Sequence, residues 1–390
     1  MAAARSGTVR RTVPTVIAAG RSTEGLVVVR ITTEAALASY AAEWDRLAAT
    51  MRPRMPFAQP QWNMLWWRHL RRRRLACRDH LHSYAIRDDI GRLIAIAPMM
   101  LSERPSIGPV RVREMQFFGA DANLTERRGP VCAPWDEPRV VRALATAINS
   151  DNHLWDWVHW QGLASSQPVE DVAGPATLLR PSRILHDYVV TLPGSWDALY
   201  AGLPRNIRES LRKCRNSLQR TGHTYSFCAV TEPDLLPAAL DRFLALHALR
   251  ARARRYARHG NVFARRAARE FLAAYCRDQA SVSGVVIFEL RIDSRVVASR
   301  IAFPMGSEIY LYYSGFDPAW GGYSVMTTLL MEAIRWSIGQ KLALLNLSTG
   351  TDPSKTRWRP SAIHYLEFLQ LPQTVGWSRL FAHAKLRRQP

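Results

Sequence analysis

Two glycines at the head of an apolar helix mark the first place in this 390-residue chain where backbone groups can do chemistry. The stretch WGGYSVMTTLLMEAIRW, Trp320 to Trp336, follows an aromatic-rich run, EIYLYYSGFDP. A helix start leaves about four N–H groups without intrahelical partners and carries the positive end of the helix dipole. Gly321, Gly322, Tyr323, Ser324, Val325 and Met326 are therefore expected to form an anion-binding loop, with Ser324 as a candidate N-cap. The alternative is a plain tight turn. A second concentration is IRESLRKCRNSLQR, where Arg208, Arg212 and Arg215 fall at i, i+4 and i+7 on one helical face. Like charges so placed repel by a few tenths of a kcal/mol per pair unless an anion neutralises them. That face is either solvated or the seat of an anionic acceptor, and Arg250 extends the basic character onto a later helix. The chain has no G-x-x-x-x-G-K-[ST], H-E-x-x-H, G-x-S-x-G or G-x-G-x-x-G motif. The acids Asp88–Asp89 and Asp121 with Glu126 read as turn chemistry.

The bulk composition narrows the setting. Lys and Arg number 53 against 32 Asp and Glu, a formal charge of +21. Such a field favours an anionic partner: a nucleic acid, an anionic membrane surface, a phosphorylated cofactor or an acidic sugar. A genome biased toward arginine and alanine gives the same excess. The five cysteines form no C-x-x-C pair, which fits a reducing cytoplasm, buried thiols and no metal. No apolar run nears the roughly 18 residues needed to span a bilayer, so the protein is expected to be soluble.

The elements that must hold these groups come in two similar sets. In the first half, EAALASYAAEWDRLAA has helical spacing and PFAQPQWNMLWWRHLR is an aromatic helix opened by a proline-bounded turn. Strands on either side of Asp-Asp-Ile-Gly suggest a hairpin, followed by a strand at VREMQFFG, a helix at EPRVVRALATAI and a strand at WDWVHWQGL. The second half repeats helices and then a three-stranded meander, GVVIFELRIDSRVVASRIAFPMGSEIYLYYSGF, about 200 residues after the first. Only the second copy runs into a glycine pair and an apolar helix. The expected organisation is a disordered basic tail over 1–25, one domain over 26–164, a linker over 165–183, a second domain over 184–375 and a basic tail over 376–390.

An antiparallel meander, a glycine loop, a long helix and then the strand LALLNLSTG is the order of the GNAT acyltransferase fold, whose loop holds the pyrophosphate of coenzyme A. Four stretches sharpen the likeness: EWDRLAATMRPRMPFAQPQWNMLWW, IRESLRKCRNSLQRTG, LHALR and NLSTGTDPSKTRW, the last with Gly350, Pro353, Lys355 and Trp358 in register. In that order they resemble the CelD/BcsL-type acetyltransferases, tandem GNAT proteins associated with cellulose and exopolysaccharide synthesis and related to the FemABX aminoacyl transferases.

The resemblance implies an α+β fold of two tandem GNAT-like domains, each a mixed, mainly antiparallel sheet flanked by helices. It implies an N- or O-acyltransferase using acetyl-CoA or another acyl-CoA on a small-molecule or glycan acceptor. Transfer from aminoacyl-tRNA is the enzymatic alternative, the one case in which a nucleic acid is expected. A non-catalytic scaffold for polyanions is the other. Backbone N–H groups over Tyr312 to Gly315, including Tyr313 and Ser314, are expected to meet the acyl carbonyl, with Tyr312 and Tyr313 on opposite faces of their strand. His247 is the base candidate, against a packed histidine, and Lys355 the candidate holder of an anion, against a solvated loop lysine. Arg208, Arg212 and Arg250 are the acceptor candidates. Asn346, Ser354 and Ser324 depart from the family's Asp, Tyr and glycine, which removes two possible proton-transfer groups.

Overall fold

The computed structural model describes residues 16–21, 25–105, 111–121, 123–165, 172, 177–253, 260–350 and 352–372. Nine strands come from the first half: β1 (Val16–Arg21), β2 (Val27–Ile31), β3 (Arg78–Leu81), β4 (Ser83–Arg87), β5 (Leu93–Ala97), β6 (Met99–Pro105), β7 (Arg111–Phe117), β8 (Val131–Cys132) and β9 (Trp157–Ala164). Seven follow: β10 (Thr177–Thr191), β11 (Tyr225–Val230), β12 (Val286–Ile292), β13 (Arg295–Met305), β14 (Glu308–Phe316), β15 (Leu344–Thr349) and β16 (Ser361–Pro372). The helices are α1 (Glu34–Ala38), α2 (Ala41–Ala48), α3 (Pro60–Leu70), α4 (Glu137–Ser150), α5 (Trp196–Gly202), α6 (Arg205–Arg220), α7 (Leu236–Arg252), α8 (Arg266–Ala280), α9 (Val325–Gly339) and α10 (Pro353–Thr356).

The two meanders are present, but the halves share a sheet. Strands β1-β2-β4-β5-β8 make a five-stranded sheet, and β11-β12-β13-β14-β15-β10-β16-β9-β7-β6-β3 make one of eleven strands. The seam is the long antiparallel pair β10–β16, in register from Thr177↔Pro372 to Val189↔Ser361, with β9 bonded to the far side of β16. The run LIAIAPMML, which looks like one strand, breaks at Pro98: β5 stays in the small sheet and β6 crosses to the large one. Proline has no N–H to give a ladder and suits such a crossing.

Three boundaries differ from the sequence-based expectation. Val16–Arg21, placed in the basic tail, pairs with β2. Residues 177–183, placed in the linker, are ladder residues of β10, bulged between Pro181 and Arg183. The first expected helix is two short ones, α1 and α2. Residues 1–15 and the expected tail over 376–390 lie outside the described residues.

Alternation on the strands places a different helical layer on each face of the second half. Ile287, Ile301, Phe303, Tyr310 and Tyr312 face a core shared with α7 and α8, whereas Val286, Phe288, Ala302, Ile309 and Leu311 face the core of α6 and α9. The first of these cores also takes in the aromatics of α3. The Trp62 ring lies 4.8 Å from both Phe271 and Tyr275, and Phe57 lies 5.3 Å from Tyr310, all near edge-to-face. Aromatic pairs of this kind add about 0.5–1.5 kcal/mol each beyond their buried area. The halves are thereby locked together, and groups from the first can serve a site in the second. Among the described residues no helix is long and apolar enough to cross a membrane. Cys132, Cys214 and Cys276 are buried, whereas Cys77 and Cys228 are half-buried, and all five are free thiols.

Candidate active site

The cleft begins where two parallel strands part. β14 and β15 pair only over Glu308–Tyr310 and Leu344–Asn346. Beyond that point β14 follows β13 and β15 follows β10, so a V opens between them. On the β14 side the register slips between Ala302↔Leu311 and Arg300↔Ser314, which leaves Tyr312 and Tyr313 both opposite Ile301. This is a β-bulge, a device that re-aims side chains beside a site. It corrects the expectation of opposite faces: the two rings lie 4.7 Å apart, centre to centre.

Two cavities share this V. The one at its apex, about 440 Å³, is lined by Glu126, Arg250, Arg300, Tyr313, Ser348 and Lys355 among others. The other, about 280 Å³, lies at the start of α9 against Gly321, Ser324, Val325, Met326 and Thr327, with Arg250, Arg300 and Arg357. Arg250, Arg300, Ser314, Asp352 and Ser354 line both, so the two are arms of one cleft.

At the helix start, Pro318–Tyr323 forms a 3-10 helix capped by the Asp317 carboxylate, which accepts from Ala319 N–H. Ser324 N–H bonds to Gly321, and Thr327 and Thr328 N–H both bond to Ser324. The N–H groups of Val325 and Met326 remain unspent among the described residues, as a helix start predicts. Ser324 has φ 54°, in the left-handed region, and its side chain makes no capping bond. This explains why a glycine is favoured here and corrects the expected N-cap: the backbone turn, not a hydroxyl, starts the helix.

Two arginines line the same cavity as these amides, with the Asp352 carboxylate near both and Glu126 near Arg300. The Nε atoms of Arg250 and Arg300 are buried and have no hydrogen-bond partner among the described residues. Burial, and then the neighbouring Arg250, pushes Arg300 down to about 10. Burial likewise lowers Arg250. Burying a guanidinium Nε without a hydrogen-bond partner is costly, and an anion placed there lowers the cost.

At the apex a carboxylate from the first half meets a lysine from the second. The Tyr310 hydroxyl donates to Glu126. Burial pushes Glu126 up to about 7, against the opposing pull of Lys355 and the Tyr310 hydroxyl. Lys355 Nζ donates to Ser348 Oγ at 3.0 Å and to the Thr349 carbonyl. Burial, helped by Arg300, pulls Lys355 down to about 8, while Glu126 acts the other way. Both groups thus change charge near neutrality, the range useful for proton transfer.

Residues 205–356 match the family model described as an acetyltransferase (GNAT) domain. The second half carries a GNAT-type acyltransferase domain. The likeness in fold extends further: FemX aligns with a TM-score of 0.56 over 89% of this chain and 98% of its own, at 8% identity. A conserved protein of unknown function from Bacteroides thetaiotaomicron VPI-5482 gives 0.48 over 87% and 97% at 15% identity. A tandem GNAT protein from the clavulanic acid biosynthesis pathway gives 0.44 over 90% and 99% at 11% identity. The comparison with curated proteins gives no match.

Several expected site residues of the GNAT domain meet in the cleft: Lys355, Arg250, Tyr313, Ser314, Gly321, Ser324, Val325 and Met326. Others do not. His247 is fully buried and its Nδ1 donates to the Ser314 carbonyl at 2.9 Å, so it ties α7 to β14 and lines neither cavity. A general base must reach the proton it takes, and His247, on neither cavity's wall, is not placed to do so here. Gly315 lies beneath it: a Cβ there would fall 2.3 Å from His247 N, so its role is close packing of helix on strand. Tyr312 contributes its ring to the wall, but its hydroxyl is spent on the Leu124 carbonyl at 2.5 Å and is not free for catalysis. Gly322 and Tyr323 line neither cavity; the 3-10 turn carries Tyr323 onto His223 and Trp320 instead. Arg208 donates to the Ala201 carbonyl at 2.9 Å, Arg212 is exposed, and neither lines the cleft, because α6 packs along α9 outside the V.

Two lining residues, Arg300 and Glu126, and the neighbouring Asp187 escaped the sequence reading. Arg300 had a signal, a charged residue inside the apolar strand VVASRIAF. Glu126 had none, since Tyr310, its partner, is 184 residues away. Asp187 is buried on β10, raised by burial and held down by Arg127, Asn346 and Lys355. Asn346 itself accepts Ser348 N–H at 2.7 Å. β10, which carries Asp187, is bonded alongside β15, which carries Asn346.

Proposed function

We propose that this protein transfers an acyl group from an acyl-CoA, acetyl-CoA in the simplest case, to an amine or hydroxyl. The acceptor is an envelope or exopolysaccharide precursor in the cytoplasm, as for the CelD/BcsL-type enzymes it resembles. One observation carries the donor assignment: unspent N–H groups at the start of α9 converge on one cavity with Arg250 and Arg300, whose buried Nε atoms lack a hydrogen-bond partner among the described residues. That donor set suits a diphosphate, with Arg357 at the rim.

When bound, acyl-CoA supplies an activated thioester carbonyl and a thiolate leaving group. The bulged end of β14 offers backbone donors along the V. Glu126, a carboxylate for a growing fraction of molecules above about pH 7, takes the proton of the attacking amine or hydroxyl at its carboxylate oxygen. Lys355, protonated below about pH 8, holds a proton at Nζ that balances the developing negative charge and is given to the departing thiolate. In this scheme the second domain holds the donor, and the first completes the acceptor side through Asn123 and Glu126.

The test is thiol release from acetyl-CoA and longer acyl-CoAs in the presence of amino sugars and sugar hydroxyl acceptors. Acceptor-dependent release is expected. Release with none of them, alongside ribonuclease-sensitive transfer from aminoacyl-tRNA, would replace the donor.

A further inference from the structure

We propose that the loop Arg71–Arg78 docks this protein on the surface of an anionic phospholipid bilayer. The inference is independent of the donor assignment, since none of these residues lines the cleft. The loop joins α3 to β3, the edge strand of the large sheet. At its tip Leu75 is 87% exposed, and Arg72, Arg73, Arg74 and Arg78 are exposed around it.

The tip is held rather than left loose. Cys77 N–H bonds to the Arg74 carbonyl, Asp79 N–H to the Arg72 carbonyl, and Arg111 donates to the Leu75 carbonyl at 2.8 Å. The nearby carboxylates are already engaged: Asp79 accepts from Arg72 N–H and Ser102 Oγ, Glu34 from Arg68 with Arg71 beside it, and Glu103, opposite Arg78, lies 3.8 Å from Arg111 and 3.9 Å from His80. The loop therefore presents a fixed leucine ringed by guanidiniums with little local neutralisation. Water penalises that leucine, while the headgroup–acyl boundary accepts it and lets the arginines meet lipid phosphates. A nucleic acid would satisfy the arginines and offer Leu75 nothing, so the bilayer is the better complement. The overall charge of +21 acts in the same sense.

The experiment is co-sedimentation of the full chain with vesicles of phosphatidylglycerol and phosphatidylcholine, or of phosphatidylcholine alone. Circular dichroism controls for folding. Binding to the anionic vesicles only is expected, weakening with salt. Each arginine near the surface contributes about fivefold, so Arg72→Ser/Arg73→Ser/Arg74→Ser should bind about a hundredfold more weakly. Leu75→Ser, which keeps every charge, should bind about tenfold more weakly to vesicles while leaving binding of bulk RNA unchanged. Equal binding by the triple variant would overturn the loop as the docking point. An unaffected Leu75→Ser variant, or binding to RNA without binding to vesicles, would overturn the bilayer as the partner.

Discussion

The first half contains the same V as the second, and the two have opposite fates. β7 and β9 pair in parallel over Glu114–Gln116 and Trp157–His159, then part, just as β14 and β15 do. In the first half the chain lies across β9 beyond that point. A Cβ on Gly162 would fall 1.8 Å from the Arg128 carbonyl oxygen, one on Gly129 would fall 2.8 Å from the Gln161 carbonyl, and Arg127 donates to the Gly162 carbonyl at 3.2 Å. The following helix starts differ as well. α4 opens with Asp136 and Glu137, whose carboxylates already hold Arg139 and Ala164 N–H, whereas α9 has no acid in its first turn and faces Arg250 and Arg300. An anion is repelled at one helix start and attracted at the other. The segment that closes the first V also supplies Glu126 to the second. One copy of the fold has become a scaffold for the other.

The sharpest way to break this comparison is at Glu126. Glu126→Gln should lower kcat by about a hundredfold or more, the scale of a lost general base, with acyl-CoA affinity unchanged. The parent enzyme should give a bell-shaped rate profile. Activity climbs as Glu126 ionises near pH 7 and declines as Lys355 loses its proton above about pH 8, so the variant should lose the acidic limb. Partial recovery in Glu126→Asp would separate proton transfer from mere support of Tyr310.

A smaller effect is expected where the closed V is wedged open. Gly162→Ala puts a methyl against the Arg128 carbonyl at φ +64°, and should cost about 3 kcal/mol from overpacking and left-handed strain together. Thermal melts should record the loss. Acyl-CoA binding should persist while turnover falls, because Glu126 belongs to the displaced segment. Ser324→Gly tests the open V from the other side and should stabilise by about 1 kcal/mol, since glycine accepts φ 54° without penalty. A melt showing destabilisation would mean that the serine side chain has a role at the helix start.

Local signals carried most of the fold and part of the site. The meanders, the α9 junction and Lys355 follow from alternation, turn residues and motif order within short windows. What stayed hidden depends on contacts made over long separations. The β10–β16 seam joins residues 195 to 172 positions apart at its ends, from Thr177↔Pro372 to Val189↔Ser361, and no local pattern announces it. Glu126 looked like turn chemistry because its meaning comes from Tyr310 and Lys355. His247 looked catalytic by type and motif, but helix packing over Gly315 turned it into a tie. The bulge at Tyr312–Tyr313 moved one ring to the other face, which strict alternation cannot foresee.

The central claim is that only the second V accepts the donor. Isothermal titration of the full chain with acetyl-CoA tests it most directly. One site per chain is expected, lost in Arg250→Ser/Arg300→Ser and retained in Arg208→Ser/Arg212→Ser. Two sites per chain, or one that survives removal of Arg250 and Arg300, would contradict it.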